Sequence, residues 1–225
     1  MNSSILQNLQ TRVIRTSDLA GSDLNTIHDL FDLTYEQANH GYLDQSLKKI
    51  RFLALAHDQG TPVGFALGDA VRSPLPRMAE PQCVVLAGIC CIAPDYRRLG
   101  LFAHLESLAI RESGIPRPDK RTLACGRMAH PASFRIMRGN PTVVPKYGCS
   151  PSEWQKEVGL RVAELYGVNL DPETFVVLGK GQPIGYPKIE INVEDEEWLS
   201  FRLVNRDRGD SLLAISWNPD APEGW

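Results

Sequence analysis

The sequence predicts a mixed α/β protein built on one sheet. Three observations carry that expectation. Apolar, β-branched runs short enough for strands alternate with segments of helical period, a hairpin signature lies in the first third, and a long apolar strand runs through a glycine turn into an amphipathic helix. The chain has 225 residues, enough to bury an ordinary core without disulfide or metal. It reads as one domain, 1–225, with a core over 10–180 and a C-terminal extension carrying the last strand over 181–225.

Taken in order, Thr11 to Arg15 is β-branched and short, a first strand. Asp18 or Ser22 can cap a helix running to about Ala38, with Ile27, Leu30, Phe31 and Tyr35 near one face, and Asn39-His40-Gly41 ends it. Arg51–His57 and Pro62–Val71 are apolar runs joined by Asp58-Gln59-Gly60-Thr61, which is turn chemistry, so they form an antiparallel hairpin. Cys83–Ile92 is a long buried strand stopped by Ala93-Pro94-Asp95.

A helix begins near Gly100, sets Leu101, Leu105, Leu108 and Ala109 on one face, and ends by Gly114. Arg121–Gly126 is a strand and Pro131–Arg138 a short helix with proline in its first turn. Ser150-Pro151-Ser152-Glu153 reads as a capping box opening a helix to Tyr166, stopped by Gly167. Phe175–Leu178 and Leu212–Trp217 are strands, separated by a segment rich in Gly, Pro and acidic residues in which Asp195 can start one short helix. The acidic run Glu194–Glu197 reads as a solvated face or a helix N-terminus.

Composition excludes some functions. The net charge is −3 and the pI is near 6.0, which argues against nucleic acid or an anionic membrane surface as the main partner. No stretch approaches the roughly 18 apolar residues of a membrane helix. The first ten residues lack a charged segment followed by an apolar run, so no signal peptide is expected. Five cysteines, Cys83, Cys90, Cys91, Cys125 and Cys149, without CxxC spacing, read as reduced thiols in a cytoplasmic protein.

The stretch that carries chemistry is Ile89–Leu105, ICCIAPDYRRLGLFAHL. A strand ends, a turn containing Arg97-Arg98-Leu99-Gly100 follows, and a helix starts at once. Such a junction aims unpaired N–H groups outward at the positive end of the helix dipole, which binds phosphate. Gly100 permits close backbone approach, and the two arginines add charge suited to a diphosphate. The plainer reading is a strand–turn–helix connection with surface arginines.

This segment resembles the acyl-CoA-binding motif of the GCN5-related N-acetyltransferase (GNAT) superfamily, a strand followed by V-x-P-x-x-R-x-x-G-x-G/A and a helix. Here it reads Ile92-x-Pro94-x-x-Arg97-x-x-Gly100-x-Phe102, with Phe102 where the family has Gly or Ala and Ala103 beside it. The order of elements over most of the first 150 residues agrees with the family's. His130-Pro131-Ala132-Ser133-Phe134-Arg135-Ile136-Met137 resembles the family's fourth helix, N-x-x-A-x-x-x-Y. There Ser133 takes the place of Ala, and Met137 the place of a Tyr that serves many members as general acid; a thioether cannot donate.

The resemblance implies a mainly antiparallel sheet split between the strands at 83–92 and 121–126, flanked by helices. It implies an acyl-CoA, acetyl-CoA first, as co-substrate, and direct attack on the thioester by the amine of a small molecule. The cofactor would lie along Cys90, Cys91 and Ile92, over Arg97, Arg98, Leu99, Gly100, Leu101, Phe102 and Ala103, and at Ser133. His130 is first choice as acid or base; as a helix cap it would do structural work only. Glu36, His40, Tyr35 and Tyr42 would lie toward the acceptor, Glu36 as a base and the other three lining its pocket.

Cys125 with His130 close in sequence suggests a covalent route, against which buried packing is the plainer account. His28 and Asp32 stand i, i+4, but two ligands without a third read as a local pair, and no metal is expected. Two other functions stay open: an acyltransferase fed by an acyl carrier protein, and a non-catalytic acyl-CoA sensor. A homodimer is also left open.

Overall fold

The computed structural model describes residues 8–117, 120–189 and 191–225. The start of the chain, read above as carrying no leader, lies outside them over residues 1–7. The chain forms two compact units. The first takes the chain up to Ala70 with Ala87–Ile115 and Ile184–Lys188, and the second takes Val71–Leu86, Pro116–Pro183 and Ile189–Trp225.

In the first unit, β1 (Gln10–Arg15) pairs antiparallel with β3 (Phe52–Asp58), from Gln10↔His57 to Arg15↔Phe52. β3 returns as β4 (Thr61–Ser73) in the hairpin the turn residues predict, with Gln59 and Gly60 at φ 47° and 84° and a bulge between Ala56 and His57. Next to β4 in the sheet lies β5 (Gln82–Ile92), whose second half belongs to this unit. Phe52, Ala54 and Ala56 project to one face and pack with Val63, Ala66 and Ile92 against Leu101, Leu105 and Ala109 of α3 (Leu101–Glu112). Their neighbours Leu53 and Leu55 point the other way and are also fully buried, so β3 is apolar on both faces.

The expected single helix to about Ala38 is two helices. α1 (Gly21–Thr34) ends four residues earlier than that reading, and β2 (Tyr35–Glu36) follows it. Asn39 does not stop a helix but starts one: its Oδ1 accepts the Tyr42 N–H at 3.1 Å and caps α2 (His40–Lys49).

In the second unit, the first half of β5 pairs in parallel with β6 (Thr122–Met128), from Cys83↔Thr122 to Leu86↔Cys125. β6 pairs antiparallel with β10 (Ser211–Asn218), and the order continues through β8 (Val176–Val177) to β7 (Leu170–Asp171). The parallel β5–β6 pair, followed by the antiparallel β6–β10 pair, in a mostly antiparallel sheet, is the arrangement the GNAT resemblance implies, with β5 and β6 as the strands of the split. α4 (Pro131–Arg138) covers β10 with Phe134 and Met137, which join Met128, Val143, Phe201, Leu212 and Ala214 in one cluster.

α5 (Glu153–Tyr166) ends on Gly167, as expected, in the left-handed region at φ 63°. Its capping box differs from the expected one: the cap is Ser152 and its partner Gln155, two residues later. The short helix in the acidic run is α6 (Asp195–Trp198). No helix among the described residues is long and apolar enough to cross a membrane.

Candidate functional site

In the first unit, β5 ends at Ile92 and a 3-10 turn, Pro94–Tyr96, reverses the chain. Ala93 N–H returns to Val63 O at 2.9 Å, which ties the turn to β4. Arg98 and Gly100 then adopt φ of 63° and 84°, curling the backbone into α3. Gly100 is the N-cap and no side chain caps the helix. The first N–H engaged within it is His104's, to Gly100 O at 3.1 Å, so the N–H groups of Leu101, Phe102 and Ala103 project from the helix end. Phe102 is 37% exposed and Ala103 is also exposed, so the aromatic ring at the family's Gly/Ala position lies outside the core.

Of the two arginines, Arg98 is exposed while Arg97 is half-buried. Arg97 Nε donates to Ile92 O at 3.1 Å, and its Nη1 donates to Lys188 O. Lys188 ends a short segment carrying β9 (Tyr186–Pro187), which pairs antiparallel with β2, Tyr35↔Pro187 and Glu36↔Tyr186. Sequence reasoning does not find this pairing, because two residues carry no periodicity.

The residues expected toward the acceptor gather around β2. Tyr35 is half-buried, its ring tilted 45° against Phe31 with centroids 4.7 Å apart, and lies in the electrostatic neighbourhood of Cys90, Cys91, Tyr42 and Arg97. Burial pushes its phenol pKa well up, chiefly by desolvation. The Cys91 thiol is raised to about 12 by burial, against a hydrogen bond with Thr34 and the charge of Arg97, which lower it. Cys90 is also raised by burial, with Cys91 and Glu106 adding. Glu36 is exposed.

His40 pairs back onto α1. Its Nε2 meets Asp32 Oδ1 at 2.7 Å, while His28 Nε2 meets Asp44 Oδ1 at 2.9 Å. The two imidazoles lie with centroids 4.4 Å apart, so α1 and α2 are cross-tied by two reciprocal His–Asp pairs. The expected local pair of His28 with Asp32 is thus replaced by pairs between helices. Among the described residues, no group of three or more His, Cys, Asp or Glu is placed to hold a metal ion.

Glu106 is a group the sequence reading missed. It lies on α3, half-buried and close enough to Cys90 to raise that thiol, and burial alone pushes its carboxyl up to about 7. A glutamate in a helix gives no signal of burial by itself; the packing of α3 on the sheet creates it.

The remaining candidates belong to the second unit. Cys125 is 2% exposed; its Sγ lies 3.7 Å from Leu123 O and its carbonyl accepts Tyr166 Oη–H at 2.9 Å. Burial raises its pKa well above the ordinary thiol range. His130 caps α4, its Nδ1 accepting Ala132 N–H at 3.2 Å, and its ring stands edge-on to Trp198 at 5.1 Å. A nitrogen that accepts carries no proton, so the neutral ring holds its proton on Nε2. Burial first, then Arg206 and Arg135, lower its pKa; Glu197 acts the other way.

Among the described residues no hydrogen bond joins Cys125 to His130; the Cys125 thiol lies against Leu123 O of its own strand, and the His130 ring caps the start of its own helix. Ser133 is exposed, and its N–H donates to His130 O at 3.1 Å. Met137 is 9% exposed, within the apolar cluster under α4.

No protein-family model and no curated protein matches the chain. Among solved structures it is similar to the ribosomal-protein-S18-alanine N-acetyltransferase of Escherichia coli, at 12% identity over 96% of this chain and 99% of that one, TM-score 0.42. It is similar to the GNAT family N-acetyltransferase YhbS of Escherichia coli in complex with CoA, at 15% identity over 57% and 67%, TM-score 0.40. It is also similar to Chaetomium thermophilum Naa20 in complex with a bisubstrate analogue, at 21% identity over 61% and 75%, TM-score 0.37.

Proposed function

We propose that the chain is an acyl-CoA-dependent N-acyltransferase of the GNAT type, with acetyl the first acyl group to test and the amine of a small molecule as acceptor. The observation that carries this is the uncapped start of α3 behind the Arg97–Gly100 turn. The N–H groups of Leu101, Phe102 and Ala103 are left at the helix start beside Gly100, which has no Cβ. That is a cradle for a diphosphate, and Arg98, exposed beside it, supplies opposite charge. The pantetheine arm would follow backbone groups of Cys90, Cys91 and Ile92 as an added strand.

The reaction balances without a further reactant. The amine nitrogen attacks the thioester carbon, the C–S bond breaks, and amide and CoA thiol leave. The nitrogen must lose a proton and the sulfur must gain one. Glu36 or water takes the first. Water can supply the second; His130, whose Nδ1 is engaged by the helix cap, carries its proton on Nε2, the form of an acid rather than of a base. A backbone N–H at the end of β5 polarises the thioester carbonyl.

One observation favours a second reading, a non-catalytic acyl-CoA sensor: Met137, at the position of the family's tyrosine acid, is buried in a core cluster and cannot protonate a thiolate. Incubation of the protein with acetyl-CoA and a panel of primary amines separates the two. Amine-dependent release of CoA thiol, with the acylated amine seen by mass spectrometry, supports the enzyme. CoA binding with no release above the rate in buffer supports the sensor.

A further inference from the structure

We infer that Arg97 is a positioning residue of the acceptor side, fixing the segment Ile184–Lys188 against β2. The inference deepens the acyltransferase reading and rests on it, since Tyr35, Glu36 and Tyr42 are the acceptor-side residues there.

The segment comes from far along the chain and lies on the turn between α1 and α2. Lys188 N–H donates to Thr34 O at 2.8 Å, and Asn39 N–H donates to Ile184 O at 3.0 Å. Between these lies the two-residue ladder of β2 with β9, in which Pro187 has no N–H to give. A ladder this short does not hold by itself.

Its two ends are anchored differently. At one end Gly185 has φ 119°, and a Cβ there would sit 2.9 Å from Glu36 O and 3.2 Å from Ala38 Cα, so backbone meets backbone with no room for a side chain. At the other end, two cations hold the strap. Lys188 Nζ donates to Asp32 O at 3.0 Å, and Arg97 Nη1 donates to Lys188 O. Arg97 also donates from Nε to Ile92 O, so one planar guanidinium bridges the end of β5 and the end of the strap.

The consequence separates two roles that the sequence motif merges. The motif assigns Arg97 to the donor. The geometry assigns its guanidinium to two backbone carbonyls, one of them in the strap beside Tyr35 and Glu36. Donor affinity then falls to the N–H groups at the start of α3 and to Arg98. Because Ile92 ends the strand that leads into the donor turn, Arg97 registers the acceptor-side wall to that strand.

Hydrogen exchange followed by mass spectrometry, with CoA affinity by calorimetry, tests this on the full chain. The variants are Arg97→Gln, Arg97→Lys, Gly185→Val and Arg98→Gln. Arg97→Gln is expected to speed exchange in peptides spanning 34–39 and 184–188 by about tenfold or more, with the rest of the unit still protected. Its CoA affinity should stay within about threefold of wild type. Arg97→Lys should keep part of the protection, because an ammonium can reach one carbonyl but cannot bridge two. Gly185→Val should open the same peptides with Arg97 intact.

Arg98→Gln should do the reverse, weakening CoA and leaving the strap protected. Unchanged exchange of the strap in Arg97→Gln overturns the assignment. So does a uniform rise across the unit, or a loss of CoA affinity as large as that of Arg98→Gln. If wild type binds no CoA, the donor reading fails, while exchange in the ligand-free protein still decides the clamp.

Discussion

The guanidinium fork of Arg135 closes on the Glu197 carboxylate, Nε donating to Oε1 at 2.7 Å and Nη2 to Oε2. Arg138 Nη1 adds a bond to Oε1 at 2.6 Å, and Glu194 N–H reaches Oε2 at 3.2 Å, so one carboxylate ties α6 to α4. The Arg135 hydrogen bonds, above all, hold the Glu197 carboxyl down at about 2. In the unfolded chain the group takes up a proton near its ordinary 4.5, which the folded chain declines until about pH 2. Its contribution is therefore complete above about pH 4.5 and is lost as pH falls through 2. Denaturant unfolding at stepped pH should show wild type losing stability between pH 4.5 and 2 more steeply than Glu197→Gln. Parallel curves through that window would refute the ion pair's role.

Glu106 has the opposite sign. Burial raises its carboxyl to about 7, so the folded state keeps a proton that the unfolded state releases near 4.5. The stability that this proton supplies is present at low pH and lost as pH rises from 4.5 to 7. Glu106→Gln, which is neutral at every pH, should match wild type near pH 4 and exceed it at pH 8 by about 1–3 kcal/mol. The same difference at both pH values would show that the substitution acts through packing and not through charge.

Cys125 and Cys149 differ in access. Cys149 is exposed, while Cys125 is buried with its thiol held protonated. In the native protein iodoacetamide should label Cys149 first and leave Cys125 unmodified until denaturant is added. Labelling of Cys125 at the rate of Cys149 would place a reactive thiolate where the structure puts a packed thiol, and would revive the covalent route.

What could be read from the sequence was local. The hairpin is legible because Asp58-Gln59-Gly60-Thr61 has turn chemistry between apolar runs, and α3 because its apolar face follows a glycine. The turn before α3 is legible for the same reason, since all its residues lie within one short stretch. Asn39-His40-Gly41 is ambiguous in sequence, because asparagine serves both to stop and to start a helix; only its bond to Tyr42 N–H settles which. The β2–β9 ladder, the pairing of His40 with Asp32, and the Arg97–Lys188 bond join residues distant along the chain. No spacing rule reports such contacts. Glu106 was missed because its burial is a property of the packed helix and not of its own neighbours in sequence.

The central claim is the diphosphate cradle at the start of α3, and a thermal-shift titration with CoA and acetyl-CoA on wild type and Gly100→Glu tests it most directly. Gly100 sits at φ 84°, so glutamate there meets both backbone strain and charge repulsion with the ligand. Wild type should show a saturable rise in Tm, amounting to about 2.7 kcal/mol of stabilisation at 100 times the dissociation constant, and Gly100→Glu should melt in one transition with none. No shift in wild type with either ligand, or an equal shift in both proteins, would contradict the account.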